Sequence, residues 1–171
     1  MKVIIKTPNS CSRRDLNEFQ RQVEKGDEVE TSGLRERIRR AFLLAFAYIG
    51  DSIVGVAGLK NPCPSYKRKI FEKADLKQRC HEFDKELGWV FVVEGHRGRG
   101  ISTRLVKALL KEAGGFNIFA TSRIEIVPMH RALMSAGFLE AGKSFISGRG
   151  NKVKLFLNFS PPSEAQCRSL D

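Results

Sequence analysis

The stretch "VVEGHRGRGISTRLVKALL", Val92 to Leu110, leaves an apolar run through a loop of three glycines and two arginines and then resumes as a helical pattern. Ahead of it, "ELGWVFVV" at 86–93 is dense in β-branched and aromatic residues and predicts a buried central strand. Behind it, "STRLVKALLKEAG" at 102–114 sets Leu105, Ala108 and Leu109 on one helical face. A strand ending in a glycine turn that opens a helix presents several backbone N–H groups at a positive helix end, a place for phosphate. Glycine suits the turn because a side chain would block the approach. The stretch lacks the Lys-Ser/Thr pair of a P-loop, and glycines at 95, 98 and 100 do not fit the GxGxxG dinucleotide spacing. The reading left is a pyrophosphate site of another kind.

The surrounding chain limits what such a site serves. At 171 residues, 42% hydrophobic and 29% charged, it has the composition of an ordinary globular protein and predicts one domain over 1–159 with a loose tail over 160–171. The longest apolar run, "AFLLAFAYIG" at 41–50, is about half of what a transmembrane helix needs, and "MKVIIKTPNS" has no signal-peptide pattern. The expectation is a cytoplasmic protein without a membrane partner. Cys11, Cys63, Cys80 and Cys167 share no short spacing, so reduced thiols and no bound metal are expected. Thirty Lys and Arg against 19 Asp and Glu give a net charge of +11, which calls for an anionic partner: nucleic acid, an acidic protein or a phosphorylated small molecule. Basic clusters stand at 35–40 and 66–73, with no alternating aromatics of a single-strand stacking platform.

Further elements follow from periodicity and turn residues. The sequence predicts a strand at 2–6, a helix at 15–25, a weaker helical continuation over 33–42, and two strands at 41–49 and 53–59 joined at Gly50-Asp51. Segment 61–85, broken by Pro62 and Pro64, predicts a surface excursion containing a short helix. A strand at 116–121, a helix at 128–137 and a hairpin over 143–159 turning at Gly148 to Asn151 complete the order.

On these residues "RGRGIS" (97–102) resembles the pyrophosphate loop of the GNAT superfamily of acyl-CoA N-acyltransferases. Arg97 and Gly100 match its pattern, Ser102 is an imperfect substitute at the last position, and "HRALMSAGF" is similar to the family helix that ends in Gly-Phe, here Gly137-Phe138. The resemblance implies an α/β (α+β) fold: a mixed, mostly antiparallel sheet splayed at its centre, with helices on both faces. It implies acetyl-CoA as acyl donor, lying between the strands at 86–93 and 116–121. The backbone of Val90, Phe91 and Val92 would bond the pantetheine arm, and the amides of Gly98, Arg99, Gly100, Ile101, Ser102 and Thr103 would hold the pyrophosphate, with Arg97, Arg99 and Arg104 adding charge.

Acyl transfer to an amine needs the amine neutral, the carbonyl polarised and a proton for the leaving thiolate. Glu86, six residues before Val92, has a spacing similar to the general-base glutamate of histone-modifying family members. A strand-entry glutamate at the solvent edge is the competing reading. The family's usual acid tyrosine is Leu133 here, and its usual asparagine is Ile126; Glu125, His130, Ser144 and Ser147 are the possible substitutes. The function expected is transfer of an acetyl group from acetyl-CoA to a primary amine by direct attack, the acceptor being carried on an acidic protein or associated with RNA, by a monomer or homodimer. The alternative is an inactive acyl-CoA-binding sensor or an RNA- or ribosome-associated binding protein.

Overall fold

The computed structural model describes residues 1–26 and 29–160; most of the tail expected at 160–171 lies outside the described residues. In chain order the elements are β1 (Lys2–Lys6), α1 (Arg13–Lys25), α2 (Leu34–Arg39), β2 (Leu43–Ile49), β3 (Ser52–Lys60), α3 (Pro64–Lys73), β4 (Lys85–Val92), α4 (Ile101–Glu112), β5 (Ile118–Arg123), α5 (Val127–Ser135), β6 (Leu139–Ile146) and β7 (Lys152–Asn158). One seven-stranded sheet holds them in the order β1-β2-β3-β4-β5-β7-β6. Every neighbouring pair is antiparallel except β4–β5, which is parallel.

The faces follow from strand alternation. Leu43, Ala45, Leu59, Leu87, Ala120 and Phe156 point to the face where Ile101, Leu105 and Leu109 of α4 and Leu133 of α5 pack. Leu44, Phe46, Val56 and Trp89 point the other way, against Phe19 and Val23 of α1 and Leu34 and Ile38 of α2. On that same side Phe119, Leu155 and Leu157 meet Ile70 and Phe71 of α3. Helix α1 begins at Arg13 because Ser12 caps it: the Ser12 hydroxyl accepts from the Asp15 N–H at 3.1 Å and the Asp15 carboxylate accepts from the Ser12 N–H at 3.0 Å. Lys6 of β1 closes on the same carboxylate at 2.6 Å.

Boundaries moved where tertiary contacts override local pattern. The strand expected at 116–121 is displaced to Ile118–Arg123, because Phe116 turns aside to pack on Phe42 with the Lys85 ammonium 4.4 Å from its ring centroid. The final hairpin begins at Leu139 rather than 143, with a register break between Ala141 and Phe145. Gly142 sits in that break at φ 68, where an added Cβ would lie 2.2 Å from the Ala74 carbonyl oxygen behind α3. The excursion at 61–85 carries α3 and a 3-10 turn at Lys77–Glu82.

The centre of the sheet is where the fold opens. Parallel pairing of β4 with β5 is confined to Lys85↔Ile118, Glu86↔Phe119 and Leu87↔Ala120. Beyond Leu87, β4 stays with β3 as far as Val92 while β5 stays with β7 as far as Arg123. The two strands therefore part from Gly88 onward. Trp89, in a left-handed conformation at φ 55, marks a bulge in β4 that shifts the register between Val56 and Gly58 and drops the indole onto Phe19.

Candidate active site

The parted edge of β4 carries backbone groups that no strand takes up. Val93 N–H donates to Val54 O at 2.9 Å, so strand alternation directs the N–H and C=O of Val92 and Val90 to the opposite edge, toward β5. There the Arg97 Nε donates to the Val92 carbonyl at 3.1 Å, and its guanidinium lies 5.8 Å from the Phe91 ring centroid. The Phe91 carbonyl faces β3, where an added Cβ on Gly55 would come within 3.1 Å of it. Of the three strand residues singled out in the sequence, Val90 and Val92 thus offer backbone to the gap, while Phe91 turns its carbonyl to β3 and its ring to the end of α1, beside Gly26.

The chain passes from β4 through a short 3-10 turn at Glu94–His96 into the glycine loop. Gly98 and Gly100 have φ values of 75 and 71, which favour glycine, and Gly100 is the N-cap of α4 without any capping side chain. The amides of Ile101, Ser102 and Thr103 are therefore among the donors at the helix start that have no intrahelical acceptor. The Ile101 side chain is buried at 3% exposure and anchors that start in the core. Ideal Cβ atoms on Gly95, Gly98 and Gly100 would meet nothing within 4 Å, so the space above the loop is open. Left-handed glycines, free amides, a positive helix end and the exposed Arg99 and Arg104 fit a pyrophosphate.

Glu86 lies at the root of the gap, on the α1–α3 face, and is buried at 3% exposure. The solvent-edge reading of this residue is therefore wrong. Two groups hold its Oε1: the Lys60 ammonium at 2.6 Å and the Tyr66 hydroxyl, which donates at 3.1 Å. Among the described residues no group bonds its other oxygen. Lys60 reaches it directly across the ladder, since Lys60 and Glu86 are register partners in β3 and β4. The lysine stem crosses Gly88, whose ideal Cβ would lie 2.7 Å from Lys60 Cε, and the ammonium is 5.4 Å from the Trp89 ring centroid. Tyr66 is 41% exposed as a residue but turns its hydroxyl inward; burial first, and the neighbouring Glu86 carboxylate second, push that phenol above its ordinary value.

Sequence reasoning missed Lys60 and Tyr66. Tyr66 stands in a basic run that reads as a charged surface, and Lys60 is the polar end of an apolar strand. Only the non-local β3–β4 pairing brings them to Glu86.

The suggested acid substitutes are scattered. Leu133 is fully buried in the α4–α5 core, and Ile126 is the N-cap of α5. Glu125 is exposed and 3.5 Å from the Arg123 Nε. His130 is buried against Phe156, with Nε2 2.9 Å from the Arg123 carbonyl. Ser144 and Ser147 belong to β6 and its turn, separated from β4 by β5 and β7. No group of three His, Cys, Asp or Glu among the described residues is placed to hold a metal ion. No helix among them is long and apolar enough to cross a membrane.

On the α1 face, one long-range contact ties the last hairpin to the segment after α1. Arg149, in the β6–β7 turn beside the end of β5, donates to the Val29 carbonyl between α1 and α2. Val29 and Phe91 both pack against the Phe19 and Val23 cluster on this face.

A sheet parted between two parallel strands, with a glycine-turned helix start at the edge of the gap, is the fold of acyl-CoA N-acyltransferases. The chain belongs to the GNAT acetyltransferase family, whose model matches residues 12–138. Escherichia coli ElaA superimposes with a TM-score of 0.68 at 11% identity, over 92% of this chain and 99% of that one. An acyl-CoA N-acyltransferase from Pseudomonas aeruginosa gives 0.66 at 11% identity, over 92% and 99% of the chains. The ribosomal-protein-alanine N-acetyltransferase of Brucella melitensis gives 0.62 at 19% identity, over 91% and 99%. At these identities the likeness is one of fold. No curated protein matches the sequence.

Proposed function

We propose that the chain, as one domain over 1–159, transfers an acetyl group from acetyl-CoA to a primary amine by direct attack. The observation that carries this reading is the parting of β4 from β5 after Leu87, beside a glycine loop that opens α4. The amides from Gly98 to Thr103 would hold the pyrophosphate, with Arg97, Arg99 and Arg104 supplying charge. The gap-facing backbone of Val90 and Val92 would bond the pantetheine arm as an added strand.

Bound acetyl-CoA supplies an activated thioester. Glu86 takes a proton from the arriving amine, directly or through water, while Lys60 and Tyr66 fix its Oε1. The Lys60 ammonium also disfavours a second cation beside it, which favours the amine in its neutral, attacking form. As the amine nitrogen bonds the carbonyl carbon, the C–S bond breaks and the thiolate takes a proton from water or from the amine itself. Backbone N–H groups on the open β4 edge would stabilise the developing oxyanion.

A second reading, an acyl-CoA-binding protein without catalysis, is favoured by Leu133, which fills with core the position of the family's usual acid. Thiol release from acetyl-CoA, measured against panels of amines, peptides and tRNA, separates the two. Amine-dependent release supports the enzyme; binding without release to any acceptor supports the sensor.

A further inference from the structure

The site already contains an amine. Lys60 Nζ is 2.6 Å from Glu86 Oε1, and an ideal Cβ on Gly88 would lie 2.8 Å from it. Gly88 is the first β4 residue beyond the last pair with β5, so this nitrogen stands at the point where the gap opens. Its side chain keeps 21% exposure, against 4% for that of Glu86, so the lysine is the more accessible member of the pair. Trp89 and the Lys60 stem fix the approach, and Tyr66 holds the carboxylate still. A nucleophile, a proton acceptor in contact with it and an opening for a thioester are thus assembled within the chain.

We propose that Lys60 is itself an acyl acceptor, modified once per molecule by the acetyl-CoA bound in the gap; this rests on the reading of the gap as the acyl-CoA site. The Lys60 ammonium passes a proton to Glu86, and the neutral nitrogen bonds the thioester carbonyl carbon. The C–S bond breaks, the leaving thiolate takes the second proton from the attacking nitrogen, and Glu86 releases the first to solvent, giving free CoA and an N-acetyl-lysine amide. The amide is stable and carries no charge, so the mark persists and ends the Lys60–Glu86 ion pair. Glu86 then keeps the Tyr66 hydroxyl as its hydrogen-bond partner.

The test needs no knowledge of that amine. The purified full chain is incubated with acetyl-CoA alone and its acetylated peptides are mapped by mass spectrometry over time. The expected result is labelling of Lys60 well ahead of exposed lysines such as Lys69 and Lys107, approaching one acetyl per chain. Labelling at Lys60 should slow at least about tenfold in Glu86→Gln and disappear in Gly100→Glu, which obstructs the loop without touching Lys60. Labelling spread evenly over surface lysines, or equal in heat-unfolded protein, means chemical acetylation only and overturns the inference. If calorimetry shows acetyl-CoA bound but Lys60 stays unmodified, this inference fails and the acyl-CoA site stands. Absence of binding overturns both.

Discussion

Lys60 and Glu86 face each other across the β3–β4 ladder with 2.6 Å between ammonium and carboxylate, at the level where β4 loses β5. The pair is buried enough to be costly if broken on one side and open enough to be used. In Lys60→Met the Glu86 charge would be stranded in a largely apolar setting. Because Lys60 retains 21% exposure, the loss is set at the lower edge of that for a buried pair, about 2–3 kcal/mol in urea unfolding. A change below about 0.5 kcal/mol, the range of an ordinary surface substitution, would show that the pair is effectively solvated.

Glu86→Gln keeps shape and removes the proton acceptor. Acetyl-CoA affinity should stay near the wild-type value while turnover with the true acceptor falls roughly a hundredfold or more, the usual share of a general base. A rate loss under about threefold would mean that the amine arrives already deprotonated through solvent.

Asp15 supplies an acid limb to stability. Burial would raise its carboxyl, but hydrogen bonds from Lys6 and Ser12 outweigh that and hold it below its ordinary value of 3.8. The unfolded chain therefore takes up this proton first as pH falls, and stability present above about 3.8 is lost as pH drops through the lower folded value. Scanning calorimetry from pH 6 down should show Tm falling in that window, and Asp15→Asn should flatten this part of the curve while costing about 1 kcal/mol at neutral pH through the weakened cap and lost ion pair. An unchanged acid slope in Asp15→Asn would assign the limb to other carboxylates.

Leu133 is a test of why the family's usual acid is missing. The site is fully buried among α4 and α5. Leu133→Tyr should destabilise by about 1–3 kcal/mol through overpacking and a buried hydroxyl, with no gain in turnover. A faster enzyme of equal stability would show that the helix end can still present an acid to the gap.

The charge of +11 exceeds what one loop for a phosphorylated co-substrate accounts for. The exposed Arg37, Arg39, Arg68 and Lys69 belong to α2 and α3, on the same face as Glu86. An acceptor of negative character is expected, an acidic protein segment or an RNA-associated amine. Raising salt from about 0.01 M to about 0.15 M shortens the Debye length from about 30 Å to about 8 Å, so kcat/KM should fall while kcat holds. Efficient acetylation of a polyamine or aminoglycoside, with kcat/KM rising with salt, would contradict this.

The parts of this site that local chemistry dictates were legible in the sequence. Gly98 and Gly100 announce a turn that other residues adopt at a cost, and the apolar density of 86–93 announces the central strand it leaves. Glu86 was visible by spacing, yet its burial and its partner were not. Lys60 is 26 positions away in sequence, and only the antiparallel return of β4 onto β3, around the whole α3 excursion, makes them neighbours. Tyr66 shows the same limit: in "YKRKIFEK" it reads as surface, and it is the docking of Ile70 and Phe71 into the core that aims its hydroxyl inward. The last hairpin starts at Leu139, before the 143 expected, and its register break at Gly142 depends on the non-local approach of Ala74.

The proposed activity depends on acyl-CoA binding in the gap between β4 and β5 and at the glycine loop beside it. Titration calorimetry of acetyl-CoA into the full chain and into Gly100→Glu addresses it most directly. One site per chain is expected in the wild type and at least a roughly hundredfold weaker affinity in the variant, from an added carboxylate and lost charge-assisted hydrogen bonds. Equal affinity in the two proteins, or no binding to the wild type, would contradict it.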